Sequence, residues 1–353
     1  MGPRLIHVAS GREWRGGQNQ VRLLARALSR MPGVSQLVIT GRGSELARRL
    51  RDAEVPVHEV SWTAALDPRA LISAVTAAVP GVILHAHDAH ALVLAGIASR
   101  FRRCPLVVTR RVDFHLRRPG FWRRADRVVA ISEAVRAVLL ADGIEPGRIR
   151  VVHSGIDPQE PRSAPAFGIR ERLGLAPNLP LVVNVAALVG HKDQATLIRA
   201  AQYLAPQVPE LQWVIAGEGP LRPALERQIA AAGLGTCVHL MGQVSNPWGL
   251  IREAGVFVMS SREEGLGTSI LDAMALGTPV VATRAGGIPE MLDGGAGLLV
   301  NPEDPTALAD AVLRIIGSPE TAGALRDQAT ARLEQFTDRR MAEGMLAVYR
   351  SVG

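Results

Sequence analysis

Short apolar runs alternate with stretches of helical spacing along almost the whole chain. Runs at 5–9, 37–40, 56–60, 82–85, 106–109 and 127–131 read as short, mostly apolar strands. Between them, 20–31, 44–53, 68–79, 89–100 and 133–141 read as helices. The first of these places Val21, Leu24, Ala25 and Leu28 on one face. The segment 151–157 closes this half. Residues 158–165, rich in proline and charge, have the composition of a linker. The alternation then restarts, with strands at 181–186, 213–216, 238–241, 254–259 and 280–282 and helices about 193–204 and 220–232. Such regularity predicts an α/β protein built from two doubly wound parallel sheets. The last stretch, 341–352, is amphipathic.

The stretch Ser260-Ser261-Arg262-Glu263-Glu264-Gly265-Leu266-Gly267-Thr268-Ser269-Ile270-Leu271-Asp272 is the densest in candidate chemistry. It runs from a strand through an acidic, glycine-bearing loop into a helix, and ligands of open α/β sheets bind where such loops leave the carboxyl end of a strand. Gly265 and Gly267 let backbone approach a ligand. The first helix amides, at Thr268 and Ser269, are donors for hydroxyl or phosphate oxygens. Glu264 and Asp272, two helical turns apart, form a carboxylate pair suited to sugar hydroxyls.

Composition adds bounds. The 353 residues suggest two domains, and 47% apolar residues with 4% aromatics imply aliphatic cores. Cys104 and Cys237 stand alone, which gives no disulfide framework or metal cluster and suggests a reducing compartment. Residues 1–9 are too poor in apolar positions for a signal peptide, and no run has the length of a membrane span. Arginine carries the net charge of +7 almost alone; Lys192 is the single lysine. It ends the segment Val185-Ala186-Ala187-Leu188-Val189-Gly190-His191-Lys192, which follows a strand and opens a helix, a place where an ammonium meets a diphosphate.

These segments resemble the retaining family 4 (group 1) glycosyltransferases, whose motif of two acids separated by seven residues matches Glu264 and Asp272, with aspartate in place of the usual glutamate. The resemblance implies the GT-B fold, two Rossmann-like domains facing a cleft. Residues 1–157 would form the acceptor-side domain, with a helix about 341–353 packing back on it, and 166–340 the nucleotide-sugar domain. It implies transfer of a sugar from a nucleotide-diphosphate sugar to an acceptor hydroxyl with retention and no metal or other cofactor. Glu264 would sit by the donor sugar, the amides from Gly265 through Leu266 and Gly267 to Thr268 would orient it, and Asp272 would hold the ribose. Lys192 would hold the diphosphate. The segment Ala216-Gly217-Glu218-Gly219-Pro220 matches the family's glycine turn, so Gly217 and Glu218 would line the nucleotide. Val244 marks the base-binding strand end, and Glu290 lies in a further matching turn.

In the first half, Gly16 and Gly17 follow the first strand and make an anion-friendly concavity. Trp14 beside them reads as an acceptor platform or a loop anchor. The segment His85-Ala86-His87-Asp88-Ala89-His90 ends another strand; the resemblance places His87 in the cleft as a catalytic candidate, and the spacing lacks acid or cysteine partners for a metal. The family's further histidine is replaced by Arg110-Arg111, and Arg111 becomes a contact for an anionic acceptor or the diphosphate. From Arg100 to Arg127, arginines, Arg118 among them, interleave with Phe101, Phe114, Phe121 and Trp122, which suits an anionic membrane surface. Cell-envelope or lipid-linked glycans are the acceptors this suggests, in the cytoplasm at the inner face of the membrane, with no nucleic acid as partner. A nucleotide-sugar epimerase of the same fold and a non-catalytic nucleotide-sugar-binding protein remain the alternatives.

Overall fold

The computed structural model describes residues 2–63, 67–117 and 119–353, so Arg118 of the basic segment lies outside the described residues. The chain divides into two units, 1–156 with 337–353, and 157–336.

The first unit is a seven-stranded parallel sheet. Its strands are β1 Arg4–Ala9, β2 Ser35–Gly41, β3 Val57–Val60, β4 Val82–Ala86, β5 Leu106–Arg110, β6 Arg127–Ala130 and β7 Ile149–Val151, in the order β3-β2-β1-β4-β5-β6-β7. β4 is buried along its whole length and β5 over its first four residues, which is why Val82-Ile83-Leu84 and Leu106-Val107-Val108 read as apolar runs. The chain leaves β1 towards one edge and returns through β4 to the other side. The switch point therefore lies between the carboxyl ends of β1 and β4. The helix Asp338–Arg350 packs on this sheet: Met341, Met345, Val348 and Tyr349 join Leu5, Leu24, Ile83 and Val107 in one apolar cluster. Its entry is tight. A Cβ on Gly155 would lie 2.3 Å from the Thr337 carbonyl oxygen, so glycine is what allows the two segments to touch.

The second unit is a six-stranded parallel sheet of β8 Leu181–Val185, β9 Gln212–Ala216, β10 Val238–Gly242, β11 Val256–Met259, β12 Val280–Thr283 and β13 Leu298–Val300, in the order β10-β9-β8-β11-β12-β13. Here the switch point falls between β8 and β11, the strands that precede the loops carrying Lys192 and Glu264. The stretch 158–165 is not a free linker. It contains the helix Gln159–Ser163, and Arg252 donates to the carbonyls of Pro161, Arg162 and Ala164, while Arg162 donates to the Ala275 carbonyl. Among the described residues no helix is long and apolar enough to cross a membrane.

Candidate functional site

At the β8/β11 switch point two loops are stitched together. The Arg262 amide donates to the His191 carbonyl at 2.8 Å, Arg262 Nη2 to the Gly190 carbonyl at 2.9 Å, and Ser260 Oγ to the Lys192 carbonyl at 3.1 Å. These bonds bring together residues 72 apart in sequence: the Lys192 ammonium donates to Glu264 Oε2, and both side chains are largely covered, at 17% and 13% exposure. Ser261 Oγ lies 3.4 Å from the same carboxylate oxygen. A largely covered ion pair of this kind holds each group in one place more firmly than either would hold alone in solvent.

The loop then turns at Gly267, whose φ of +87° is a left-handed conformation suited to glycine. The helix Thr268–Ala275 starts there with no side-chain cap and no acid in its first turn, so its leading amides and dipole favour an anion or hydroxyl oxygen. Leu266 is fully buried, so its side chain belongs to the core and only its backbone is open to a substrate role. Asp272 lies further along the same helix. Burial pushes its carboxyl up to about 7, against the hydrogen bond donated by Trp248, with the charge of Glu160 adding to the rise. Its polar neighbours are thus Trp248 and Glu160, a different set from those of Glu264.

The glycine turn after β9 has a packing cause. A Cβ on Gly217 would stand 1.9 Å from the Ala186 carbonyl oxygen, and one on Gly219 would stand 2.3 Å from that of Leu188. These glycines let the β9 turn close onto the loop carrying Lys192, so packing alone already demands glycine at both positions. Glu218 is half exposed and pairs with Arg222 at 3.0 Å. Val244 is half-buried just beyond β10. The turn before Glu290 is joined to the site, since the Gly287 amide donates to the Glu264 carbonyl at 3.1 Å.

The first unit holds a second cluster at its own switch point. Asp88 accepts from the Ser10 amide at 2.7 Å and from its hydroxyl, and caps the helix Ala89–Arg102 through the Ala91 amide at 2.9 Å, tying the loops after β1 and β4. A cavity of about 450 Å³ lies over this tie, lined in part by Ser10, Arg12, Arg15, Trp62 and His90. Gly16 and Gly17 open the helix Gly16–Ser29, again without a side-chain cap or an acid in the first turn. No atom lies within 4 Å of a Cβ built on Gly16, so local packing does not demand glycine there. Trp14 packs against the Val21 and Leu46 cluster with Arg49 over its ring at 4.4 Å, which makes it a loop anchor.

Behind this loop lies a group only half visible in the sequence. His7 from β1 joins His85 and His87, all three buried, with ligand-type atoms within 4.8 Å of one another. Five of the six ring nitrogens are engaged in hydrogen bonds: His7 Nδ1 with His87 Nε2 at 2.9 Å, His85 with the Tyr349 and Thr109 hydroxyls at 2.7 Å each, and His87 Nδ1 with Arg111 at 3.0 Å. Burial first, and the nearby Arg111 cation besides, depress the His7 pKa to about 4 and those of His85 and His87 well below the ordinary range. His87 is therefore a neutral ring with both nitrogens engaged within the unit. The sequence did carry one signal for His7, a polar residue inside the apolar run Leu5-Ile6-His7-Val8.

Comparison with known proteins finds a family match in each unit. The family model for Glycosyltransferase Family 4 matches residues 14–160 and that for Glycosyl transferases group 1 matches 167–332. The alpha-maltose-1-phosphate synthase of Mycolicibacterium smegmatis is 34% identical over 256 residues, 65% of this chain and 64% of that protein. The alpha-D-kanosaminyltransferase of Streptomyces kanamyceticus is 32% identical over 189 residues, 52% of this chain and 49% of its own length. The matches thus span about half to under two thirds of these relatives. Among solved structures, Anabaena HepE in complex with UDP and glucose superposes with a TM-score of 0.85 over 99% of this chain and 100% of that one, at 22% identity, a likeness of fold. With one family model over most of each unit and a GT-B architecture throughout, the chain belongs to the group 1, family 4 glycosyltransferases.

Proposed function

We propose that this chain is a retaining, metal-independent glycosyltransferase that moves a hexosyl or related sugar from a nucleotide-diphosphate sugar to an acceptor hydroxyl, with no further cofactor. The observation that carries the reading is the Lys192–Glu264 pair at the β8/β11 switch point, next to the uncapped start of the helix Thr268–Ala275. An ammonium and free helix amides meet the diphosphate, and a carboxylate meets the sugar hydroxyls. In the step, the bond from the anomeric carbon to the phosphate oxygen breaks and a bond to the acceptor oxygen forms on the same face. The acceptor proton passes to the leaving phosphate, and Lys192 stabilises the charge that builds there. Asp272 holds the ribose, and Gly217, Glu218 and Val244 flank the nucleotide; within the first unit, Gly16, Gly17 and Arg111 offer donors to an anionic group. UDP-sugars are the first donors to try, because HepE was crystallised with UDP, glucose and UDP-glucose.

The test is a thermal-shift panel of nucleoside diphosphates and nucleotide sugars, followed by transfer assays. A true donor at a hundred times its Kd adds about 2.7 kcal/mol of stability. Conversion of the donor without acceptor would instead identify an epimerase, and binding without transfer to any acceptor would identify a binding protein.

The acceptor we propose is a cell-envelope or lipid-linked glycan, met at the inner face of the membrane. A cavity of about 800 Å³ in the first unit is lined by Arg100, Arg103, Arg123, Arg124 and Arg148, and Phe101 nearby is 73% exposed. Arginines beside an exposed aromatic favour anionic headgroups. The full chain is expected to sediment with anionic liposomes at low salt and to be released by about 0.5 M salt, where the screening length falls below about 5 Å. Equal sedimentation with neutral liposomes would refute the electrostatic attachment.

A further inference from the structure

Arg111 is a cation held by neutral partners. Its Nη1 donates to the His87 carbonyl at 2.8 Å and its Nη2 to His87 Nδ1 at 3.0 Å. Its Nε–H is buried and has no acceptor. Asp88, whose charge acts on it, is already engaged by Ser10 and the Ala91 amide. The stem of Arg111 runs past the start of the helix Gly16–Ser29, its Cδ 3.9 Å from a Cβ built on Gly17. Guanidinium has five donors, so the fork keeps N–H groups for an oxyanion after its two bonds to His87 are made.

The direction of every proton in this group follows from Arg111. Arginine only donates, so His87 Nδ1 must present a lone pair, and the His87 proton sits on Nε2. That proton is donated to His7 Nδ1, which places the His7 proton on Nε2. Gln36 is the polar side chain next to His7, and its Oε1 and His7 Nε2 are both buried with no hydrogen-bond partner at bonding distance. Gln36 Nε2 is itself tied to the Ala25 carbonyl at 2.6 Å and to Ser29 Oγ at 2.8 Å. A second proton on either ring would set two N–H groups against each other.

We infer that Gln36, His7 and His87 form a neutral chain of fixed tautomers that aims the Arg111 guanidinium at an oxyanion of the bound substrate. His7 is then a positioning residue and Arg111 a binding residue, and the role of His87 is to hold Arg111. The inference rests on the transferase reading for its ligand, a phosphate or carboxylate that comes from the donor diphosphate or from an acidic acceptor.

The test uses the full chain and the variants Arg111→Gln, His7→Leu and His7→Asn, titrated calorimetrically with UDP and with glucose 1-phosphate. Arg111→Gln is expected to weaken at least one probe about 10–100-fold, the worth of a charge-assisted hydrogen bond. His7→Leu, which removes the acceptor for His87, should weaken the same probe about 10-fold. His7→Asn, whose Oδ1 replaces the Nδ1 lone pair, should stay within about threefold of wild type. A loss confined to UDP assigns the oxyanion to the donor, and a loss confined to glucose 1-phosphate assigns it to the acceptor. If Arg111→Gln changes neither, or if His7→Leu and His7→Asn lose equally, the inference fails. Nitrogen NMR of histidine-labelled wild-type protein decides the chain without any variant. Two neutral rings protonated on Nε2 from pH 5 to 8 support it, and titration of either ring in that range overturns it. Neither readout requires sugar transfer, so failure of the transferase reading leaves a distinct signature.

Discussion

Replacing Lys192 by alanine is expected to lower kcat about 10²–10³-fold, the scale of losing one preorganised donor to a developing oxyanion, about 3–4 kcal/mol. In the proposed reaction the leaving group is a diphosphate, and the charge that appears on it needs a cation already in place. The chain's one lysine lies at the β8/β11 switch point, with its ammonium held by Glu264. The variant has a second consequence. With the ammonium gone, Glu264 keeps a carboxylate that is 13% exposed and has lost its cation, which costs about 1.5–3 kcal/mol before any discount for the solvent that still reaches it. Loss of activity could then be mistaken for loss of fold. Lys192→Ala combined with Glu264→Gln separates the two: the neutral amide no longer needs a cation, so the Tm should recover toward wild type while turnover stays low. Steady-state kinetics and thermal unfolding on the four proteins make the cycle. Glu264→Gln alone is expected to cut turnover as well, by loosening both the sugar and the ammonium. Near-normal rates in Lys192→Ala and Glu264→Gln would remove this pair from the chemistry.

Where the hydrophobic pattern is long, the fold is legible in the sequence. β4 is buried throughout and β5 over its first four residues, so Val82-Ile83-Leu84 and Leu106-Val107-Val108 are apolar without interruption and the strand reading follows directly. β13 is three half-buried residues, Leu298–Val300, too short to produce a pattern, and the sequence reading does not assign it. Proline and charge at 158–165 look like a linker because composition does not register that Arg252 will satisfy three carbonyls there. The candidate site divides the same way. Glu264 and its loop are legible because a glycine-bearing strand-to-helix turn has a local signature, whereas the pairing with Lys192 joins residues 72 apart and becomes visible only once the sheet order is known. The packing reason for glycine at 217 is hidden in the sequence, because close approach of two backbones and close approach to a ligand demand the same residue. His7 is missed for a similar reason. Its partners are His87, 80 residues on, and a ring system that Tyr349 completes from the far end of the chain. Non-local hydrogen bonds leave no periodicity behind them.

Asp272 yields the clearest pH-dependent result. Asp272→Asn is expected to make residues 157–336 more stable than wild type at pH 8, with the difference vanishing at about pH 4. The carboxyl titrates at its ordinary 3.8 when unfolded and at about 7 when folded, because burial and the charge of Glu160 disfavour the ionised form more than Trp248 favours it. Between those values the folded chain holds a proton that the unfolded chain has released. The unfolded state then binds fewer protons, so stability falls as pH rises through this window and levels off above it. At about 1.4 kcal/mol per unit, the gain on removing the carboxylate has a ceiling of about 4 kcal/mol at pH 8. Asparagine keeps an oxygen to accept from Trp248, so the substitution leaves no new orphan. Urea unfolding of both proteins at pH 4, 6 and 8 measures the difference directly; equal or lower stability of the variant at pH 8 would mean that the carboxylate is solvated after all. A half-buried acid that weakens the free protein at working pH needs a compensating use, and the proposed contact with the ribose hydroxyls would supply one. The same variant should therefore bind its nucleoside diphosphate about 10-fold more weakly at pH 8, while losing little at pH 5, where wild-type Asp272 is itself uncharged. A carboxylate kept only for packing would raise stability on removal and leave that affinity unchanged, so the two curves, read against pH on one protein, separate a tolerated defect from a binding group.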